Sequence, residues 1–125
     1  MLTRKSFMPR KRAKARSFDP KRCEPYLRWL RRLPCVLDGR GGCSGRIVAA
    51  HVDYAGDKGM ATKVSDRYAV PMCDGHHTVQ HGWGWKSFES NFRIDTLELS
   101  KAYYDEWLKT PAGREWEREH DTSGS

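Results

Sequence analysis

The feature that most constrains this chain is the placement of its sulfur and imidazole side chains. Cys73 and His76 are separated by two residues, and Cys35 and Cys43 lie thirty or more residues upstream. Thiolate sulfurs and an imidazole nitrogen arranged as a tetrahedron are what a structural Zn²⁺ requires. Four cysteines in a secreted chain would suggest disulfides, but no apolar stretch follows the basic N-terminus, so no secretory signal is expected. The competing reading of the same residues is free buried cysteines and a helix-capping histidine. Cys23 is expected to fall in the flexible basic arm and to be a bystander.

The local pattern surrounds these residues with short elements. Tyr26, Leu27, Leu30 and Leu33 recur at helical spacing behind Pro25, and Pro34 ends that helix. Residues 35–45 hold Gly39, Gly41, Gly42 and Gly45, which is turn chemistry. Residues 46–52 are the best strand candidate, residues 53–65 a polar loop, and residues 66–72 a second strand running into Cys73. A helix starts near Gly75, carries His76, His77 and His81, and stops at Gly82–Gly84. Residues 87–92 add a further helical turn. Asp95 and Thr96 are N-cap candidates for a helix reaching about Lys109, and Thr110-Pro111 opens a last helix containing Trp116.

Two ligands from an early knuckle and two from the start of a helix is the arrangement of a treble-clef zinc module, although seven residues between Cys35 and Cys43 make a stretched knuckle. The fold class expected is therefore α+β, with the zinc module flanked by helices. After the basic stretch about a hundred residues remain, and a core that small benefits from a metal cross-link.

Charge is unevenly spread. Residues 1–32 hold twelve Lys/Arg against Asp19 and Glu24, while residues 33–125 hold eleven basic and fourteen acidic side chains, so the net +7 belongs to one end of the chain. Residues 1–22, with nine basic groups, two prolines and little apolar content, are read as a flexible polycationic arm before a domain at 23–125. Nucleic-acid phosphates are its expected partner, met by Arg10, Lys11, Arg12, Lys14 and Arg16 through counterion release. A plain solubility tail is the alternative. No stretch approaches the roughly 20 apolar residues of a membrane span, and a soluble cytoplasmic protein is expected.

A second constellation consists of His51 on the first strand candidate and His77 with His81 on the helix. Positions 77 and 81 are i and i+4, so both rings project from one helical face as a two-point grip for a divalent cation. His76 points about a hundred degrees away, which lets adjacent histidines serve different metals.

These residues resemble a known family. Ala49-Ala50-His51-Val52, a Gly-containing loop, and Asp66-Arg-Tyr-Ala-Val-Pro-Met-Cys73-Asp-Gly-His76-His77-Thr-Val-Gln-His81 are similar to the HNH (His-Asn-His) endonucleases, and more narrowly to the Ref-type recombination nucleases of phages and prophages. The resemblance spans roughly residues 33–93. It implies a ββα-metal active site, with His51 as general base, a catalytic Mg²⁺ or Mn²⁺ on His77 and His81, and structural Zn²⁺ on Cys35, Cys43, Cys73 and His76. It also implies a bacterial host cell, a phage or prophage origin, and action on DNA beside a RecA-type recombinase filament. Ala50 stands where many such enzymes carry a further ligand, and Tyr68 stands at the central Asn. Asp66 is the expected substitute, as a ligand or loop clamp.

Three functions compete. The first is a metal-dependent DNA endonuclease, and the second a zinc-stabilised nucleic-acid-binding module without catalysis. The third is an interaction protein using Trp83, Trp85, Trp107 and Trp116, although tryptophan more often buries its ring in a core.

Overall fold

The computed structural model describes residues 21–55 and 64–120. The arm residues Arg10, Lys11, Arg12, Lys14 and Arg16 lie outside the described residues. The order is helix α1 (Glu24–Leu30), strand β1 (Ile47–His51), strand β2 (Ala69–Cys73), then helices α2 (Asp74–Trp83), α3 (Trp85–Phe92), α4 (Thr96–Leu108) and α5 (Pro111–His120). A two-stranded sheet with five helices is an α+β fold.

Strands β1 and β2 pair antiparallel, with Ile47 opposite Cys73 and His51 opposite Ala69. Val52 N–H donates to the Tyr68 carbonyl at 2.8 Å, which fixes the parity of the ladder. By that parity Pro71, opposite Ala49, turns its donorless nitrogen away from β1, the position in which a strand tolerates proline. Its carbonyl accepts from Val36 N–H at 2.8 Å and so anchors the glycine-rich segment to the sheet.

Every residue of β2 is buried, and the strand divides two apolar clusters. On one side Val70, Met72 and Cys73 pack with Cys35, Leu37, Ala50, Val52, Trp85 and Phe88. On the other, Ala69 packs with Tyr26, Leu27 and Leu30 of α1 and Trp107 of α4. The Tyr26 hydroxyl donates to the Ala69 carbonyl at 3.0 Å, so the phenol crosses the second cluster without an unsatisfied polar end.

Several elements differ from the sequence reading. Helix α1 ends at Leu30, one turn early, because Arg31, Arg32 and Leu33 donate their N–H groups in a turn back to Leu27, Trp29 and Leu30. Residues 66–68 form a 3₁₀ turn rather than the start of β2, with the Ser65 hydroxyl accepting from Arg67 N–H. Residues 53–55, expected to be loop, form another 3₁₀ turn. Helix α3 is a full helix of eight residues beginning at Trp85. Asp95 caps α4 as expected, accepting from Glu98 N–H at 3.1 Å.

Cys23 is a core residue and not part of a flexible arm. It is 3 % exposed, it N-caps α1, and burial pushes its thiol up to about 11. Among the tryptophans, Trp85 and Trp107 are buried, Trp116 is half-buried against Trp107, and Trp83 is 48 % exposed. No helix among the described residues is long and apolar enough to cross a membrane.

Trp107 joins α4 to α1 through its ring contact with Tyr26 at 5.5 Å, beside Tyr104 of the same helix, whose ring meets Tyr26 at 5.2 Å. Trp107→Ala is expected to lose about 3–5 kcal/mol of stability, measured by chemical denaturation.

Candidate functional site

The glycine-rich segment between α1 and β1 brings Cys35 and Cys43 to the junction of β2 and α2. Cys73 is the last residue of β2 and the N-cap of α2, where its sulfur accepts from His76 N–H at 3.4 Å. Cys35 accepts in the same way from Leu37 N–H at 3.4 Å. Such amide-to-sulfur bonds stabilise negative charge on sulfur. The turn between the two early cysteines requires glycine: Gly42 has φ +84° and lies so near the His76 ring that an added Cβ would sit 3.3 Å from Nε2. At Gly45, φ +78°, a Cβ would come within 2.5 Å of the Asp74 carboxylate, which accepts from Arg46 N–H at 3.0 Å. The Arg40 guanidinium closes the far side of the segment by donating to the Phe92 carbonyl at 2.6 Å.

This backbone converges four ligand atoms. The sulfurs of Cys35, Cys43 and Cys73 lie 3.7, 3.6 and 3.3 Å from His76 Nδ1, and all four atoms are within 4.8 Å of one another. A tetrahedral zinc with bonds of about 2.3 Å to sulfur and about 2.05 Å to nitrogen sets sulfur–nitrogen separations near 3.6 Å. The donor set and its spacing therefore fit a metal ion, and three thiolates with one imidazole are a set zinc favours.

The acid–base chemistry of the sulfurs agrees. Burial raises the Cys73 thiol, but hydrogen bonds, chiefly from the backbone of His76 and Ser44, outweigh it and bring the group down to about 6. Loss of water around its sulfur and then its bonds to Cys73 and Cys35 push Cys43 up to about 12. Sulfurs this close resist ionising together, and a bound cation removes that obstacle. Cys23, held in the second apolar cluster with α1, belongs to no such group among the described residues.

The second constellation lies on the other face of α2. His77 and His81 meet with Nε2 atoms 3.2 Å apart and rings 4.5 Å apart. Two nitrogens at this distance share either a proton or an ion, and bonds of about 2.1 Å at roughly a right angle place ligand nitrogens about 3.0 Å apart. Burial first, and His81 second, lower the pKa of His77 from its ordinary value, against a smaller opposing effect of Asp74. Its ring is thus biased to the neutral form that binds metals.

His51, at the end of β1, faces the same cleft. A cavity of about 940 Å³ is lined by His51, Asp53, His77, His81, Lys86 and Glu89 among others. His51 Nε2 is 2.8 Å from Asp66 Oδ1, and 36 % of its side chain remains exposed. An ionised carboxylate only accepts, so Nε2 carries the proton and Nδ1 keeps its lone pair in the neutral ring.

Asp66 itself is placed differently from the expectation of a strand residue. It sits on the 3₁₀ turn with its side chain only 10 % exposed, and its second oxygen accepts from Cys23 N–H at 2.6 Å. Both oxygens are thus held within the protein, and Asp66 lines not the cleft of His77 and His81 but an adjoining cavity of about 480 Å³ with Lys21 and Arg22. Of the two roles expected for it, clamp is the one its contacts fit.

The sequence pattern did not single out Glu89. Its Oε2 accepts from the Tyr54 hydroxyl at 2.5 Å, from Thr96 N–H at 3.1 Å and from the Thr96 hydroxyl, fastening the turn after β1 and the start of α4 to the cleft wall. No spacing signal marks such a residue, because its partners come from two other elements, the turn after β1 and the start of α4.

One tightly held zinc per chain is expected by elemental mass spectrometry. Cys73→Ser should lose it and destabilise the protein by at least about 3 kcal/mol, a fraction of what structural zinc contributes in small domains. Mn²⁺ binding to the His77–His81 pair, followed by calorimetry on the zinc-loaded protein, should be full above neutrality and fade as pH falls. Protons compete for the rings, and the lowered pKa of His77 places its part of that loss below the ordinary histidine value of about 6.5.

No curated protein and no solved structure matches the chain. Residues 3–110 match the family described as Protein of unknown function (DUF968). That match covers the glycine-rich segment, both strands, α2, α3 and α4, and the chain belongs to the DUF968 family.

Proposed function

We propose that this protein is a metal-dependent DNA endonuclease of the HNH type, with a ββα-metal site on a treble-clef zinc module. One observation carries the reading: His51 from β1 and His77 with His81 from α2 line a single cleft, and a separate Cys₃His cluster takes His76 from the same helix. The separation of roles is physical. Sulfur ligands make a closed, structural centre, whereas an exposed imidazole pair leaves coordination positions for substrate oxygens.

His77 and His81 are the residues that would hold a catalytic Mg²⁺ or Mn²⁺, which when bound supplies positive charge to a phosphodiester and its leaving oxygen. The chain's own groups supply the rest. His51, with its ring fixed through Nε2, takes a proton at Nδ1 from the attacking water. Lys86 adds positive charge at the cleft, where the transition state gathers negative charge. The basic segment before residue 23, including Arg10, Lys11, Arg12, Lys14 and Arg16, grips DNA phosphates by counterion release. A RecA-type filament as partner and a phage or prophage setting in a bacterial cytoplasm belong to the same proposal and rest on the motif resemblance alone.

A plasmid-nicking assay with added Mg²⁺ or Mn²⁺ tests it. His51→Ala is expected to lower cleavage by about 10²–10⁴-fold, the usual worth of a general base, with DNA affinity and zinc content unchanged. Cleavage by that variant at the wild-type rate removes His51 from the role. Metal-independent DNA binding with no cleavage by the wild type favours a zinc-stabilised binding module instead.

A further inference from the structure

The described residues begin with Lys21, Arg22 and Cys23, and two of these residues are bonded to Asp66. Asp66 N–H donates to the Lys21 carbonyl at 2.8 Å, and Cys23 N–H donates to Asp66 Oδ2 at 2.6 Å. The remaining oxygen, Oδ1, meets His51 Nε2 at 2.8 Å. Each contact spans a long stretch of sequence: 45, 43 and 15 residues separate the partners. One buried carboxylate thus joins the root of the basic segment, the 3₁₀ turn before β2, and the exposed imidazole at the end of β1.

We infer that Asp66 is a positioning residue that sets the tautomer of His51, and that residues 21–23 lock it in place. The inference rests on the proposed role of His51 as base. A carboxylate with one oxygen held by a backbone N–H and the other facing a neutral imidazole selects one tautomer: His51 protonated on Nε2, with the lone pair on Nδ1. Cys23 N–H prevents the carboxylate from rotating, since rotation would orphan a buried donor. Residues 21–23, which follow the basic stretch in sequence, are therefore part of the site. Because the contacts are to backbone atoms of Lys21 and Cys23, the device depends on chain path and not on the identity of those side chains.

Asp66→Asn is the discriminating variant because it conserves shape. An amide has one acceptor oxygen, which serves either Cys23 N–H or His51 but not both. If the oxygen stays on Cys23, the amide donates to His51 Nε2 and drives the ring proton to Nδ1, the nitrogen the base needs. Asp66→Ala, in which no partner remains for Nε2, is the second variant, and zinc content reports whether each variant has folded.

The full-length, zinc-loaded protein is labelled with ¹⁵N and the tautomer of the neutral His51 ring is read by NMR. The wild type should show His51 protonated on Nε2, and Asp66→Asn should shift it predominantly to Nδ1. The amide of Cys23 should exchange at least about tenfold faster in Asp66→Ala. In the nicking assay kcat should fall by about 10–100-fold in both variants with KM little changed, a loss smaller than that of removing His51. An unchanged tautomer in both folded variants overturns the assignment. A shifted tautomer with no cleavage even by the wild type supports the positioning role and overturns the nuclease reading, so the two fail separately.

Discussion

The rest of the molecule depends on the convergence of Cys35, Cys43, Cys73 and His76 within 4.8 Å. The segment carrying the first two has no regular structure and contains four glycines at positive φ, so its ordered path must be imposed by what it is fastened to. Cys73 closes β2 and His76 lies in the first turn of α2. A metal on these ligands fixes the angle at which the helix leaves the strand, and that angle presents His77 and His81 to the same side as His51. The Cys₃His cluster and the cleft thus share one junction, with the adjacent residues His76 and His77 belonging one to each.

The cleft combines groups whose chemistry would conflict if they were not held apart. His77 is biased to the neutral form by burial and by its neighbour. His51 is oriented from behind by a carboxylate that faces an adjoining cavity and not the imidazole pair. Glu89, its Oε2 occupied by Tyr54 and Thr96, brings negative charge to the wall and braces it. For His51 and Glu89 a part-buried hydrogen bond fixes how the polar side chain faces the cleft, whereas burial and the neighbouring ring act on His77.

Much of this was legible without coordinates, for identifiable reasons. The i,i+4 relation of His77 and His81 needs only the helical period, and α2 runs where the glycines and the Cys-x-x-His spacing place it. Asp95 and Pro111 mark the starts of α4 and α5 because capping is a local interaction. Local pattern misled at residues 66–68, where Asp-Arg-Tyr reads as strand but the Ser65 hydroxyl draws the backbone into a 3₁₀ turn. It also misled at Cys23, whose burial comes from α4 and β2, elements far along the chain.

By itself the sequence determined which atoms were available: a thiolate-rich set with zinc chemistry, an imidazole pair on one helical face, and a basic segment ahead of a near-neutral body. These follow from side-chain chemistry and helical period, which do not depend on distant contacts. Only the tertiary structure decided which atoms meet. The partnership of Asp66 with His51 and Cys23, the bracing of Tyr54 by Glu89, and the placing of β2 between two apolar clusters all join residues distant in the chain. Such pairings are selected by packing and by the need to satisfy buried polar groups, and no local pattern encodes them.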